Sequence, residues 1–449
     1  MKGSTCYVGT FHLRIQPPPR KLFKLITILC FGLSLSVAAT AHAATYYVAT
    51  TGNDSNAGTE AAPFKTIARG SQAIAAGDTM LIRGGTYNET MLHSQNGFKF
   101  TNGISVSART RYSAYPGEKV IISPATKVPM LLYFDTDSSY IEVNGITFNG
   151  TNTTSVGVIG LGYADDDSLL STHHLRFSNN EVFGGGFVAI RGVNNELIGN
   201  HIHHSKIYGI YAAGNGMLIE GNVIHDIGGH GLHLYKYGVG DLAPNNNIVR
   251  NNVFYNTGYE FYHSTDPNTK RQVDAVLIRG INNQFYNNII YKSYGGVIVG
   301  YGTTGTLVAN NTIYGNDTIG INISSKFAGG KNARIINNIV YGNGGSQQIE
   351  DTATGTTLQN NLTTDPKFVN PAAGDFGLQA GSPAIDKGMT LAEVKTDFTG
   401  KARPEGAAYD IGAFEGAGSK ANVLPGMAGG LPAGVGSGSG GGGLGTCYK

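Results

Sequence analysis

Between positions 230 and 279 the chain gathers groups that carry charge or move protons: His230, His233, Tyr235, Lys236, Asp241, His263, Asp266, Lys270, Arg271, Asp274 and Arg279. The chemistry such a set can perform depends on what it meets. Its cations suit an anionic ligand, and its tyrosine offers a flat face on which a sugar ring stacks. The carboxylates Asp241, Asp266 and Asp274 are of the type that hydrolyses a glycosidic bond in pairs, the separation of the pair deciding retention or inversion. None of this happens unless residues up to fifty positions apart converge, so the question becomes which elements bring them together.

The answer lies in a repeat. "NNVFYN" (251–256), "NNIIYK" (287–292), "NNTIYG" (310–315) and "NNIVYG" (337–342) share two asparagines, two apolar residues and a tyrosine. Following the second asparagine gives Asn180, Asn200, Asn222, Asn252, Asn288, Asn311, Asn338 and Asn361, with steps of 20, 22, 30, 36, 23, 27 and 23 residues. The short steps fit one coil of a solenoid, and the segments lack the 3.6-residue periodicity of helical repeats. Asparagine tolerates the backbone of a tight corner. Its amide can also bond the same amide one coil above, which predicts a ladder along the stack.

Each unit also holds an alternating stretch: "FVAIRG" (187–192), "GIYAAG" (209–214), "GLHLYK" (231–236), "AVLIRG" (275–280), "GVIVGY" (296–301) and "GINISS" (320–325). Alternation puts one face in and one out. Stacked in register, Val188, Ile210, Leu232, Val276, Val297 and Ile321 make one inward column, and Ile190, Ala212, Leu234, Ile278, Val299 and Ile323 the next. The outward columns read Ala189, Tyr211, His233, Leu277, Ile298, Asn322 and Arg191, Ala213, Tyr235, Arg279, Gly300, Ser324. The two long steps contain inserts, "YKYGVGDLAPNN" (235–246) and "YEFYHSTDPNTKRQVD" (259–274), one leaving after "GLHLY" and one entering before "AVLIR". If those strands are neighbours, both inserts flank one patch of a sheet, and insertions in solenoids gather on the binding face.

Composition agrees with a strand-rich chain. Of 449 residues 66 are Gly and 24 Tyr, with no Trp, and the net charge of +2 argues against a general nucleic-acid grip. Residues 1–43 read as a signal peptide: Arg20, Lys21 and Lys24, then the apolar "LITILCFGLSLSVAA" (25–39), then "AHA" (41–43). Export is therefore expected, to the medium, cell surface or periplasm, with no membrane span after signal removal. Only Cys447 would then remain, so no internal disulfide can form. Residues 417–449 are Gly-rich and cannot build a core, which predicts a flexible tail.

With the repeat in hand, residues 45–416 resemble the secreted right-handed parallel β-helix proteins of the pectate-lyase-like superfamily. "YYVATTGNDSNAGT" followed by "PFKTIARGSQAIAAGDTMLIRGGTYNE" resembles that group's N-terminal entry, and "DPKFVNPAAGDFGLQAGSPAIDKG" with "DFTGKARPEGAAYDIGAFE" resembles the C-terminal region of bacterial members. The resemblance implies an all-β, right-handed parallel β-helix over 44–416, with a cap over 44–90, a capping helix near 64–76 and a closing region over 362–416. It also implies an exported, monomeric protein acting on an acidic polysaccharide.

Enzymes of this group often cleave uronate chains by β-elimination. A base removes the proton beside a carboxylate, a cation or Ca²⁺ neutralises that carboxylate, and the 4-oxygen departs. By that analogy Lys236 is the expected base with His233 as alternative, and Arg279 and Arg191 the carboxylate clamp. Tyr211, His230, Tyr235, His263, Lys270, Arg271 and Asp274 would contact substrate, and Asp241 and Asp266 are the candidate ligands of Ca²⁺. The Asp-Asp-Gly-Trp-Asp-like calcium motif of family-nine pectate lyases is absent, and so is the Asn-Lys-Ser and Arg-His-Gly pattern of the chondroitinase- and alginate-lyase-like group. "STDPN" (264–268) lacks the His of the Asp-Pro-His motif of alginate epimerases. A glycoside hydrolase and a non-catalytic glycan-binding surface protein therefore stay open. Elsewhere, "DSNAG" (54–58) and "ADDD" (164–167) have Ca²⁺-type oxygens. His201, His203 and His204 in "NHIHH" (200–204) lie on one strand with His225 one coil on, and His203, His225, Tyr255, Tyr291, Tyr314 and Tyr341 share one repeat position, which predicts a stack of rings with a metal site as its alternative.

Overall fold

The computed structural model describes residues 43–134, 137–154, 157–161, 172–185, 187–235, 244–262, 270–323 and 330–418. The expected signal peptide, the "ADDD" segment and the tail from 419 onward lie outside them. The described chain winds through three parallel sheets, of twelve, ten and ten strands, visited in the same order in every coil. One coil runs through Arg176–Ser178 in the first sheet, Glu181–Phe183 in the second and Phe187–Ile190 in the third, then returns to the first at Glu196–Ile198. This is a parallel β-helix. Among the described residues no helix is long and apolar enough to cross a membrane.

Three-residue strands set this architecture, because each has room for only one or two inward side chains before a corner. In the third sheet Val188, Ile210, Leu232, Val276, Val297 and Ile321 pair in register. They and the second column of Ile190, Ala212, Leu234, Ile278, Val299 and Ile323 are fully buried in one core that extends from Val48 to Val340. Both columns stand as the alternation predicts.

The corner between the first and second sheets carries the ladder. Asn180, Asn200, Asn222, Asn252, Asn288, Asn311 and Asn338 each donate from Nδ2 to the Oδ1 of the next, the last acceptor being Asn361, at 2.9–3.2 Å. The same Oδ1 accepts the backbone N–H of the preceding asparagine at 2.8–3.0 Å. The ladder passes unbroken across the long steps from Asn222 to Asn252 and from Asn252 to Asn288, so the extra residues are accommodated at other corners.

The first asparagine of each pair has a different task. Asn179, Asn251, Asn287, Asn310, Asn337 and Asn360 adopt left-handed backbone (φ 50–59°), the conformation asparagine tolerates better than other side chains. Four of them point their amides outward to fasten the C-terminal segment: Asn287 to the Thr396 carbonyl, Asn310 to that of Asp410, Asn337 to that of Met389 and Asn360 to that of Lys387, at 2.7–3.0 Å. That segment brings Phe368, Phe376, Leu378 and Phe414 against the outer face of the second sheet, and Leu391 and Val394 against the first. A fully enclosed pair, Arg403 and Glu415 (3.2 Å), ties its own loops, and Arg403 also donates to the Asn287 Oδ1.

At the other end the helix Ile67–Ala73 packs on the strands Thr45–Val48 and Thr79–Ile82. It is shorter than the expected 64–76 because Thr66 caps it, accepting from the Arg69 N–H, while Ile74 is already extended. The "DSNAG" turn serves this cap: the Asp54 carboxylate accepts from the N–H groups of Lys65 and Thr66 and from the Thr66 hydroxyl.

The ladder position should therefore matter more than the clasp position. Asn288→Ala removes donors to Val249, Tyr286 and Asn311 and strands the groups of Asn252, all in a dry corner. It is expected to destabilise by about 3 kcal/mol, against about 1 kcal/mol for the exposed, single-bonded Asn360→Ala. Urea unfolding of the two variants measures the difference, and equal losses contradict the ladder's role.

Candidate functional site

The two inserts do flank one patch. Leu232–Leu234 and Val276–Ile278 are adjacent strands of the third sheet; one insert leaves the end of the first and the other leads into the start of the second. Much of both inserts, including Lys236, Asp241, His263 and Asp266, lies outside the described residues. Lys270 and Arg271 form a short antiparallel strand with Phe261–Tyr262, leading toward the same patch.

Most of the outward column here is enclosed, only Tyr211 and Asn322 being half-buried, so it does not form the open surface that alternation suggested. Ala189, His233, Leu277 and Ile298 are all under 9% exposed. Arg191, expected to clamp a substrate carboxylate, is only 2% exposed, so it stands within the wall and not on an open face.

His233 is the centre of this patch. Tyr211 packs its edge against the imidazole at 5.3 Å, and Tyr208, His230 and Tyr235 surround it at 5.0–5.3 Å between ring centroids. Neither ring nitrogen of His233 has a hydrogen-bond partner among the described residues, although the ring is buried. Burial, followed by the charges of His230 and Arg279, holds its pKa well below the ordinary histidine value. The result is a neutral imidazole with a free lone pair at neutral pH.

His230 plays a supporting part. Its Nδ1 lies 2.5 Å from the Asp274 carbonyl, which can only accept, so Nδ1 carries the proton. Burial pushes its pKa down to about 4. Its ring lies parallel to that of Tyr208, centroids 6.0 Å apart. Arg279 sits with its guanidinium 4.0 Å from the centroid of Tyr301 and 4.9 Å from that of Tyr235, a cation held between two aromatic faces. Asp274 is seated at the corner before Val276, against Gly295. A Cβ at Gly295 would fall 1.9 Å from its Oδ1, so only glycine leaves room for the carboxylate. Burial raises the Asp274 pKa to about 6.

The structure thus brings together His230, His233, Tyr211, Tyr235, Asp274 and Arg279. Tyr208 and Tyr301 were missed by the sequence reading. Tyr208 was visible in principle, because "YGIY" (208–211) and "HGLH" (230–233) place Tyr208 over His230 just as Tyr211 lies over His233. Tyr301 gave no comparable sign, since its part depends on where Arg279 turns. Among the described residues no three carboxylate or imidazole groups of this face lie close enough to share a metal ion; the one such group is on the second sheet.

A stack of strands with one decorated sheet defines a class, and comparison with known proteins agrees. The chain belongs to the right-handed β-helix proteins: residues 132–271 and 260–382 match the family described as right handed beta helix region. Residues 46–184 match "Pel9A-like, right handed beta helix region", and the fold is that of the pectate-lyase-like superfamily. YwoF of Bacillus subtilis (strain 168), an uncharacterized protein, is 25% identical, aligned over 61% of this chain and 69% of its own. Among solved structures, pectate lyase Pel9A superimposes with a TM-score of 0.59 at 17% identity, covering 83% of this chain and 96% of its own. XylC in complex with xylose gives 0.51 at 15% identity, covering 82% and 98%.

Asp274 supplies a test of the site's electrostatics. Its folded pKa of about 6 lies above the ordinary carboxylate value near 4. Its contribution to stability is therefore full below about pH 4 and is lost as pH rises through about 6. Asp274→Asn, which keeps the shape without the charge, is expected to gain stability relative to the parent between those values. Urea midpoints measured from pH 4 to 7 check this; parallel curves contradict the buried carboxylate.

Proposed function

We propose that this chain is an exported polysaccharide lyase acting on uronate-containing glycans, with the third-sheet patch as its active site. The observation that carries the reading is the unpartnered neutral imidazole of His233 beside a cation held between two tyrosines. A general base needs a free lone pair at working pH, and burial keeps that of His233 available. A uronate needs its carboxylate charge offset before the neighbouring C5 proton becomes acidic, and Arg279 offers a fixed positive charge for that purpose. Tyr208, Tyr211 and Tyr235, each half-buried, give ring faces for the sugars on either side.

In this mechanism Arg279 binds the C6 carboxylate and His233 takes the C5 proton. The C5–H electron pair becomes the C4=C5 double bond, the C4–O bond breaks, and the departing oxygen takes a proton from water. Sharing a fold with a pectate lyase is compatible with this reading but does not carry it, because one fold hosts many activities. Lys236 and the Ca²⁺ candidates Asp241 and Asp266 belong to the two inserts but lie outside the described residues, and the reading does not draw on them. A second reading, glycoside hydrolysis, draws on Asp274, whose pKa of about 6 is that of a group able to donate a proton near neutrality.

Incubation with acidic and neutral polysaccharides separates these readings. Elimination creates an ultraviolet-absorbing unsaturated uronate end, and hydrolysis creates reducing ends without that absorbance. Turnover by elimination is expected to fall about 100-fold or more in His233→Ala, with a comparable loss in kcat/KM for Arg279→Gln. The acid limb of the parent's pH profile should lie well below the ordinary histidine value, because His233 stays neutral there. Unchanged turnover in both variants, or retained glycan with no new chain ends, overturns the assignment.

A further inference from the structure

We propose that Glu181, His201 and His203 form a binding site for a divalent transition-metal ion of the Zn²⁺ type on the outer face of the second sheet, with His225 beside it. The site is independent of the third-sheet patch and of the activity proposed for it.

The register builds the cluster. Glu181 pairs with His201 across one coil step, and His203 with His225 across the next. Glu181, His201 and His203 each offer one ligand atom, and the three lie within 4.8 Å of one another. The His203 Nε2 is 3.4 Å from the Glu181 Oε1. Its Nδ1 meets the Nδ1 of His204 at 2.6 Å, so Nε2 is the nitrogen directed at the carboxylate. The Nε2 atoms of His201 and His225 face each other at 2.7 Å. At that distance the two imidazole nitrogens share a single proton, so His225 stands beside the cluster as a hydrogen-bond partner of His201 and is not one of its ligands.

The surroundings have the form of a metal site. The His225 Nδ1 lies 2.8 Å from the Asp226 Oδ2, the carboxylate–imidazole pairing that fixes a ring and aims its other nitrogen. Asp226 is itself held by the Asn256 amide. The rings of Phe183, His203, His225 and Tyr255 lie parallel at 4.5–5.4 Å, which leaves them little freedom to turn away. On Glu181, the Thr147 hydroxyl and Lys119 Nζ both take Oε2, leaving Oε1 toward the histidines. Lys119 is 67% exposed and can withdraw without cost to the core. Two imidazoles and a carboxylate suit Zn²⁺, and suit Ca²⁺ poorly.

Titration of the full, tag-free chain with Zn²⁺ after chelator dialysis tests the site, with Co²⁺ as a spectroscopic stand-in. One equivalent should bind, and Tm should rise by about 5 °C at a hundredfold excess over Kd. His201→Gln is expected to weaken binding at least 100-fold, and Asp226→Asn, acting through His225 and His204, about 10-fold. Glu181→Gln, which leaves the ring stack untouched, should also weaken it at least 10-fold and move the Co²⁺ visible spectrum. Absence of a saturable equivalent, or equal affinity in Glu181→Gln and the parent, overturns the proposal. So does binding of Ca²⁺ in preference to Zn²⁺.

Discussion

Everything in this molecule depends on like standing on like along the stack. A three-residue strand is too short to hold a register by its own hydrogen bonds, and a slip of one residue would turn every apolar side chain outward. The asparagine ladder prevents that slip. Each rung ties an amide to the amide above and to a backbone N–H at once, in a corner where an unmade bond would be costly. Apolar columns alone tolerate sliding, because valine packs on isoleucine in several ways; an amide at 2.9 Å does not. The ladder therefore supplies the specificity of the coil, and the core supplies its driving force.

The paired asparagines divide this work by direction. The second of each pair bonds along the axis; the first, in left-handed backbone, can turn its amide sideways, although Asn179 and Asn337 also donate to Asn144 and Asn310 one coil back. In the later coils that sideways amide meets the C-terminal segment. The same segment sets Phe376 against Tyr291 and Tyr314 on the second sheet. Further back along that column, where the segment no longer packs, the ring position is taken by His225 and His203. One repeat position thus supplies an anchor for the closing region in one half and a row of imidazoles in the other, with no change in backbone.

How much of this could be read in advance follows from the same geometry. The inward and outward columns of the third sheet were legible because alternation and a fixed corner determine them, and Val188 to Ile321 stand where the pattern put them. The adjacency of the two long steps was legible because the asparagines count coils. Enclosure was not. His233 and Arg191 sit on the outward side yet are buried, and alternation only says which way a side chain leaves the strand, not what lies over it. The clasp was equally hidden, since the partners of Asn287 and Asn310 lie more than ninety residues on. Glu181 escaped notice as a companion of His201 because it belongs to the preceding coil, where it reads as an ordinary strand charge.

A solenoid separates fold from function more cleanly than a globular core does. Inward positions are constrained by both neighbours, so their chemistry is monotonous. Outward positions are constrained by register alone, so any rung is free to carry any group that its neighbours can stack against. Two consecutive coils show the consequence: on the third sheet the rungs at Tyr211 and His233 set an imidazole among aromatics, and on the second the rungs at His203 and His225 set parallel imidazoles beside a carboxylate. Both clusters arise without any strain in the ladder between them. In such a fold, chemistry is found by asking which adjacent rungs depart together from the aliphatic norm, and here they do so in the same coils on two different faces.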